Sequence, residues 1–289
     1  MTSYYSALFF TAFLPITVML YGMAPRRFRW AVLLLASYGF FFALSGALIA
    51  FVALSTAVVY ACARMMGANL AEKNRQLAQA SSGKREIREA CKRKNRRIVF
   101  AAVVANIGIL AVLKYSGFFG LSLASALAAF GISIDLSIPS FALPIGISFY
   151  TLMAVSYVVD VYRERTKADK NLGHVALFLA FFPGIMEGPL SRYNDVAPSL
   201  IAGEPLNRKN LYAGTLRIMW GMAKKIIVAD RLNAFVKPVF DNYGSYDGGV
   251  IALAAILYTI QLYCDFSGTM DVALGMGLSL IHISEPTRP

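Results

Sequence analysis

Six apolar stretches, each close to the length of a membrane-spanning helix, divide the chain. A helix needs about 20 apolar residues to cross the hydrocarbon core of a bilayer. The stretches are residues 4–23, 30–44, 48–66, 98–119, 141–161 and 250–264. The pattern predicts an all-α fold, a polytopic membrane helical bundle.

Two further apolar segments carry residues that interrupt the pattern. Residues 173–190 contain two prolines and two glycines between positions 183 and 189, and residues 211–229 contain the adjacent Lys224 and Lys225. Irregular backbone at membrane depth is tolerated only where it is buried in protein or lines a cavity. We therefore expect both segments to be re-entrant or interfacial pieces, and the first to be broken by its prolines and glycines.

Composition supports a membrane protein with one domain. Hydrophobic residues make up 57% of the 289 residues and charged residues 15%, and the mean hydropathy is +0.57. A soluble domain is only about 45–50% apolar, glycine included. Because no Gly/Ser linker or charge boundary marks a second domain, we expect residues 1–277 to form part of a single transmembrane domain.

The distribution of charge predicts the orientation. The connections at residues 24–29, 67–97 and 162–172 are basic, and the second of these holds ten basic and three acidic residues. The connections at residues 45–47 and 117–140 have no basic residue. By the positive-inside rule the N-terminus lies outside and the basic loops lie in the cytoplasm.

The net charge of +12 is accounted for by the same loops. Their basic side chains set the orientation and attract anionic lipid headgroups, so membrane lipids are expected partners. A basic patch can also bind nucleic acid, but the position of these charges between spans favours the membrane. No nucleic-acid partner is expected.

Polar residues within the central apolar segments are candidates for a substrate site. Tyr150 and Tyr157 share a helix face, and they either pack in the core or line a cavity. Glu187 lies inside the proline and glycine break, and Arg192 follows five residues later. A broken helix with an acid and a base at its tip can expose polar groups to a substrate or ion. The alternative is a kinked interfacial turn with Arg192 on lipid phosphates.

The segment YCDFSGTMDVALGMG holds two carboxylates, Asp265 and Asp271, at the end of the last apolar stretch. A carboxylate at membrane depth costs roughly 3 kcal/mol on insertion scales and by default marks a polar pocket or pathway. Asp271 lies three or four residues from two glycines and four from Ser267, which would give a helix a small polar face. The alternative is a helix-packing face on which a neighbouring arginine or tyrosine satisfies Asp271. Spacing alone does not decide between these two interpretations.

Three motifs, SFYTLMAVSYVVDVYR, FFPGIMEGPLSRY and YCDFSGTMDVALGMG, together resemble the membrane-bound O-acyltransferase family. The most similar branch is the bacterial one of alginate O-acetyltransferases, peptidoglycan O-acetyltransferases and the D-alanyl transfer protein of teichoic acids. The segments WGMAKKIIVADRL and VFDNY join the motifs, and the resemblance runs over residues 30–277. It implies a funnel of helices in which an acyl donor and a hydroxyl acceptor meet in a tunnel inside the bilayer.

The resemblance also implies a chemistry. A histidine acts as general base on the acceptor hydroxyl, which attacks the acyl carbonyl of the donor. The donor would be an acetyl or other acyl thioester or an acyl-carrier protein, and the acceptor an extracytoplasmic polysaccharide or acyltransferase partner protein. No bound cofactor or metal is expected. The candidate tunnel residues are Tyr150, Tyr157, Glu187, Arg192, Tyr193, Asp265, Ser267 and Asp271.

The chain departs from the family at the histidines, which are expected downstream of the Asp-Phe-Ser-Gly motif. His174 precedes that motif and is expected at a surface or interface, and His282 falls in the tail LSLIHISEPTRP. Residues 278–289 look like the translation of a sequencing-library transposon adapter, which predicts a non-native tail. We therefore expect the natural protein to continue past Gly277, no catalytic residue to lie in this chain, and the chain alone to be inactive.

A second hypothesis is a transporter or flippase for cell-envelope polymer intermediates. Its polar tunnel groups would be Glu187, Arg192, Asp265 and Asp271. Many transporters are built from internal repeats, but the two halves of this sequence show no convincing match. The resemblance therefore favours the acyltransferase.

Overall fold

The computed structural model describes residue 6 and residues 8–80, 82–129, 143–185 and 188–281 of the chain. Within these ranges the regular structure is helical, with no strand, which confirms the all-α prediction. Two residues discussed above, Glu187 and His282, lie outside the described residues.

Each of the six apolar stretches predicted from the sequence overlaps a helix of the described residues. In chain order they are α1 (Leu14–Met23), α2 (Arg29–Ser45), α3 (Ile49–Gln79), α4 (Lys84–Ala129), α5 (Ile147–Tyr162), α6 (Leu172–Ala180), α7 (Phe182–Ile185), α8 (Tyr193–Ala202), α9 (Arg208–Ala223), α10 (Asp230–Asp241) and α11 (Gly248–Ile281). Two π-helical segments, Phe9–Phe13 and Lys224–Ala229, precede α1 and follow α9.

Three helical stretches are long and apolar enough to cross a membrane. They are Arg26–Gln79, which holds α2 and α3, then Lys84–Phe118 and Gly248–Ile281. Phe9–Met23 and Ile147–Tyr162 are shorter apolar helices. The polytopic membrane class predicted from the sequence is therefore confirmed.

Several helix boundaries differ from the prediction. Helix α4 continues to Ala129, into the connection predicted at residues 117–140, and α11 continues to Ile281 instead of ending at residue 264. With 46 residues, α4 is longer than the ~30 Å hydrocarbon core requires. Helix α5 begins at Ile147 rather than residue 141, because Pro144 and Gly146 precede it and Gly146 has a φ of +70°.

The two interrupted segments behave differently. Residues 173–190 are broken, as expected: α6 and the short α7 are separate, and residues 188–190 are not helical. Residues 211–229 are not broken, because α9 runs directly into the π-helical segment Lys224–Ala229. Lysine is a good helix former, so two lysines place charge on this helix without ending it. A re-entrant or interfacial position for either segment stays a prediction.

The chain divides into two compact units. The first contains Met1–Leu33, Phe181–Leu190 and Pro198–Pro289, and the second contains Leu34–Ala180 and Ser191–Ala197. The single transmembrane domain expected for residues 1–277 stays a prediction.

In the first unit, arginines of the first loop hold the turn after α8. Arg26 Nε donates to the carbonyl of Ala202 at 3.1 Å, and Arg29 Nη1 donates to the carbonyl of Gly203 at 3.0 Å. Gly203 has a φ of +59°, and a Cβ there would lie 2.3 Å from the Arg26 carbonyl oxygen. A glycine is therefore required at this turn, and these arginines have a structural contact besides their predicted role in orientation.

In the second unit, α4 and α5 pack against α3, and α6 packs against α3 and α5. Polar side chains join α3 to α4 at two levels. Ser55 donates to the Asn106 side chain in a buried hydrogen bond, and Asn69 Nδ2 donates to Asn95 Oδ1 at 2.8 Å. Buried polar groups cost free energy unless they are paired, so these bonds fix how α3 and α4 align.

Candidate functional site

Helices α9 and α11 of the first unit approach each other through glycines. A Cβ at Gly221 would lie 2.5 Å from the carbonyl oxygen of Gly268, and a Cβ at Gly275 would lie 2.7 Å from that of Gly214. The later glycine of α9, Gly221, contacts the earlier one of α11, Gly268, so the two helices are antiparallel. Small residues allow such close approach of helices in membranes, and the small face predicted for α11 is present.

Asp271 lies in this contact between two cations from the other helical segment. Arg217 Nε donates to its Oδ1 at 3.1 Å, and Lys224 Nζ donates to its Oδ2 at 2.7 Å. Lys224 Nζ also donates to Ser267 Oγ at 2.9 Å. The Asp271 side chain is 15% exposed, so both of its oxygens are bound by cations in a largely buried position.

A second ion pair lies beside the first. Lys225 donates to Asp265, whose side chain is 44% exposed. Together, Arg217, Lys224, Lys225, Asp265 and Asp271 form what we call the α9–α11 charge cluster. It has three positive and two negative side chains, and the interaction between charges strengthens where protein or lipid replaces water.

The charge cluster resolves one question that spacing left open. Asp271 lies on a helix-packing face and is satisfied by an arginine, Arg217, together with Lys224. Sequence reasoning missed the three cations as partners of the carboxylates. The available signal was the presence of basic side chains in an otherwise apolar segment, residues 211–229, ahead of another apolar segment with two acids.

The adjacent lysines lie where α9 changes to π-helical geometry. The π-helical segment begins at Lys224, and both Lys224 and Lys225 reach carboxylates of α11. In a regular α-helix, adjacent side chains diverge by about 100°. π-Helical turns occur often at functional sites, and this one brings two neighbouring cations to one partner helix.

A second polar cluster surrounds Asp169 in the second unit. Its carboxylate accepts hydrogen bonds from the Tyr193 hydroxyl at 2.6 Å and the Asn171 N–H at 2.7 Å, and His174 Nδ1 lies 3.1 Å away. The backbone N–H of Asp169 donates to the Tyr157 hydroxyl at 3.0 Å. We call these five residues the Asp169 cluster.

The protonation states of this cluster follow from its hydrogen bonds. Burial alone would raise the pKa of Asp169, but the hydrogen bonds from Tyr193, Asn171 and His174 outweigh it and hold the pKa below its usual value. Burial, and then the bond to this carboxylate, raise the pKa of Tyr193. At neutral pH Asp169 is therefore ionised and Tyr193 keeps its proton.

His174 belongs to this cluster through both of its ring nitrogens. Nδ1 lies 3.1 Å from Asp169, and Nε2 lies 3.1 Å from the Asn171 side-chain nitrogen. Its side chain is 19% exposed, which is an intermediate exposure. A general base needs a free ring nitrogen within reach of the acceptor hydroxyl, and this geometry does not favour such a role.

Tyr150 and Arg192 lie apart from these contacts, whereas Tyr157 belongs to the Asp169 cluster. Tyr150 is 1% exposed, its ring lies 6.4 Å from that of Phe41, and its hydroxyl has no hydrogen-bond partner among the described residues. Tyr157 is fully buried, with its ring 4.7 Å from that of Tyr193. The Arg192 side chain is exposed.

The eight candidate residues therefore fall into separate groups. Asp265, Ser267 and Asp271 meet at the charge cluster of the first unit, whereas Tyr157 and Tyr193 meet in the Asp169 cluster of the second. Within the described ranges, no group of three or more histidine, cysteine, aspartate and glutamate side chains could hold a metal ion. The assignment of the eight candidate residues to one substrate tunnel stays a prediction.

These features define an all-helical, polytopic membrane protein with ion pairs set between closely packed helices. The chain is 33% identical over 279 residues to a probable alginate O-acetylase of Azotobacter vinelandii, covering 95% of this chain and 51% of that protein. This similarity agrees with the resemblance of the motifs to the membrane-bound O-acyltransferase family.

Two further relatives have related names. A probable alginate O-acetylase of Pseudomonas aeruginosa is 33% identical over 276 residues, covering 95% of this chain and 49% of that protein. A peptidoglycan O-acetyltransferase of Helicobacter pylori is 28% identical over 202 residues, covering 61% of this chain and 37% of that protein. No family model matches the chain. The chain spans about half the length of the alginate O-acetylases it matches.

Proposed function

We propose that the protein is a membrane O-acyltransferase. It would transfer an acyl group, most simply acetyl, from an acyl donor to hydroxyls of an extracytoplasmic polysaccharide or of an acyltransferase partner protein. The observation that carries this proposal is the similarity, over 95% of the chain, to proteins named as probable alginate O-acetylases. Because these relatives are named for acyl transfer, the transporter or flippase hypothesis is not favoured.

In this proposal the α9–α11 charge cluster forms a rigid part of the tunnel wall. The glycine contacts hold the two helices together, and the ion pairs of Asp271 fix their alignment. The more exposed carboxylate of Asp265 is the member of the cluster best able to meet a substrate, since 44% of its side chain is accessible. Fixed polar groups accelerate acyl transfer when they are already oriented toward the reacting atoms.

The general base is assigned outside this chain. The ring nitrogens of His174 already contact Asp169 and Asn171, and the family resemblance implies histidines downstream of Gly277. The donor would be an acyl thioester or an acyl-carrier protein. Membrane lipids would surround a multi-pass chain in the bacterial inner membrane, with its N-terminus outside.

Tyr150 is the second residue we assign to substrate binding. Its hydroxyl is buried and has no partner in the described part of the chain, whereas buried polar groups are normally hydrogen-bonded. We propose that it bonds to an oxygen of the donor or acceptor. Tyr150→Phe would remove this bond without removing a bond within the described residues, so transfer should fall about tenfold while stability is kept.

The test uses the complete reading frame, sequenced past residue 277 and expressed in a deletion strain of the source bacterium. The O-acetyl content of the envelope polysaccharide is measured by NMR. The complete protein should restore acetylation, and Asp265→Ala and Arg192→Ala should abolish it while membrane levels stay normal. Arg208→Ala, another exposed arginine, is the matched control.

Each failure has a distinct meaning. If Asp265→Ala and Arg192→Ala both acetylate at the wild-type rate, the tunnel assignment is wrong. If the complete reading frame lacks downstream histidines, or restores polymer export without acetylation, the acyltransferase proposal is wrong and the transporter is favoured.

A further inference from the structure

A cavity of about 680 Å³ lies between α4 and α5 in the second unit. Its polar side is formed by four arginines: Arg93, Arg96 and Arg97 of α4 and Arg163, which follows α5 directly. Spacings of three and four residues place the first three on one face of α4. No acidic side chain is among the described residues that line the cavity.

These arginines concentrate positive charge in a lining that includes no acidic side chain among the described residues. Like charges on one helix face repel each other, and no ion pair within the described ranges involves Arg93, Arg96 or Arg97. The acid nearest in sequence to the arginines of α4 is Glu89, which is paired with Arg85 at 2.8 Å. Glu164, next to Arg163, is paired with Lys73 at 2.6 Å. An anion bound in the cavity would therefore relieve the repulsion.

The rest of the cavity wall is apolar. Val99, Phe100 and Val103 continue the same part of α4, Val159 faces them from α5, and Tyr162 completes the lining. Phe100 is 69% exposed. The arginines lie just before residue 98, where the sequence predicts the membrane span of α4 to begin, so the cationic part is at headgroup depth and the apolar part at acyl-chain depth.

We propose that this α4–α5 cavity is a binding site for one anionic phospholipid. Its phosphate contacts the arginines, whose guanidinium groups suit bidentate bonds to phosphate oxygens, and an acyl chain lies along Phe100 and Val103. Basic pockets between transmembrane helices on the cytoplasmic side recognise anionic headgroups. The charge pattern of the loops predicts that this end of α4 faces the cytoplasm. The site is independent of the proposed acyl transfer.

The test measures lipid retention by native mass spectrometry of the 289-residue chain, purified in mild detergent. Samples receive equal amounts of phosphatidylglycerol or phosphatidylcholine. One tightly held phosphatidylglycerol per chain is expected, with about tenfold preference over phosphatidylcholine, given the attraction of each basic residue to anionic lipid. Inorganic phosphate at millimolar concentration should not displace it, because phosphate lacks the acyl chain.

Matched variants locate the site. Combined Arg93→Gln, Arg96→Gln and Arg163→Gln should remove the preference, and Arg97→Gln alone should weaken it. The control combines Lys84→Gln, Lys94→Gln and Lys167→Gln, three exposed lysines outside the cavity lining, and should keep the preference. Equal binding of phosphatidylcholine, displacement by phosphate, or an equal loss in the control would each overturn the proposal.

Discussion

Asp271 is the residue on which the contact between α9 and α11 depends most. Asp271→Asn would remove the negative charge that Arg217 and Lys224 both contact, in a position where the carboxylate is 15% exposed. Losing one partner of a largely buried ion pair costs about 3 kcal/mol. We expect a clearly lower unfolding temperature, measured in detergent by size-exclusion chromatography after heating.

Asp265→Asn is the matched comparison. Among the described residues, Asp265 pairs with one cation, Lys225, and its side chain is 44% exposed. The loss of stability should therefore be about 1 kcal/mol or less. Equal destabilisation by the two substitutions would show that burial does not distinguish these carboxylates.

Asp169 makes the stability of the second unit depend on pH, and the direction of the change can be predicted. Because its pKa is lowered in the folded state, its stabilising contribution is complete above about pH 4 and is lost as the pH falls through the folded value. Tyr193→Phe removes the 2.6 Å hydrogen bond to this carboxylate and should cost roughly 1.5 kcal/mol at pH 7.

Unfolding temperatures measured at several pH values test this role of Asp169. The difference in unfolding temperature between wild type and Tyr193→Phe should shrink as the pH falls from about 4 through the lowered pKa of Asp169, where the carboxylate takes up a proton. A difference that stays constant as the pH falls would mean that the Tyr193 hydroxyl stabilises the unit independently of the charge on Asp169. Phe retains the packing of Tyr193 against Tyr157 and Phe178.

At the scale of helices, the apolar pattern predicts where spans lie but not where helices end. The last apolar stretch stops at Cys264 because hydropathy falls at Asp265, yet α11 continues to Ile281. Asp265 and Asp271 can lie within α11 because cations of α9 and of the π-helical segment form ion pairs with them. These cations lie 40 to 54 residues earlier in the chain, and local spacing cannot predict a partner at that distance.

The glycine contact between α9 and α11 supplies a prediction at the same scale. In Gly275→Ala the new Cβ would lie 2.7 Å from the Gly214 carbonyl oxygen and 2.9 Å from the Ile218 nitrogen. Backbone atoms cannot turn aside, so the helices must separate and the nearby ion pairs must lengthen. We expect a loss of about 1–3 kcal/mol, seen as a lower unfolding temperature.

Gly249→Ala is the control in the same helix. Among the described residues, no atom outside the neighbouring backbone of α11 lies within 4 Å of a Cβ at Gly249. Stability should therefore stay the same or rise slightly, since alanine is the better helix former. If both glycine substitutions have the same effect, close packing at Gly275 is not what stabilises the pair.

At the scale of the whole molecule, the order of three motifs predicted an O-acyltransferase, and the similarity to proteins named as probable alginate O-acetylases agrees with that prediction. The arrangement of the tunnel could not be predicted to the same extent. Its candidate residues divide between the two compact units, and the chain spans about half the length of the alginate O-acetylases it matches. A tunnel depends on how distant segments come together, whereas a motif is local in sequence.

Orientation in the membrane is the property of the whole molecule that the loops predict most directly. Moving a loop with ten basic residues, positions 67–97, across the membrane is strongly disfavoured, so it should stay in the cytoplasm. Green fluorescent protein fused after Ser82 should fluoresce, and alkaline phosphatase fused there should be inactive. Fusions after Gly46, in a connection without charge, should give the opposite pair of results. Active phosphatase after Ser82 would reverse the predicted orientation and would place the arginine-lined cavity in the outer leaflet.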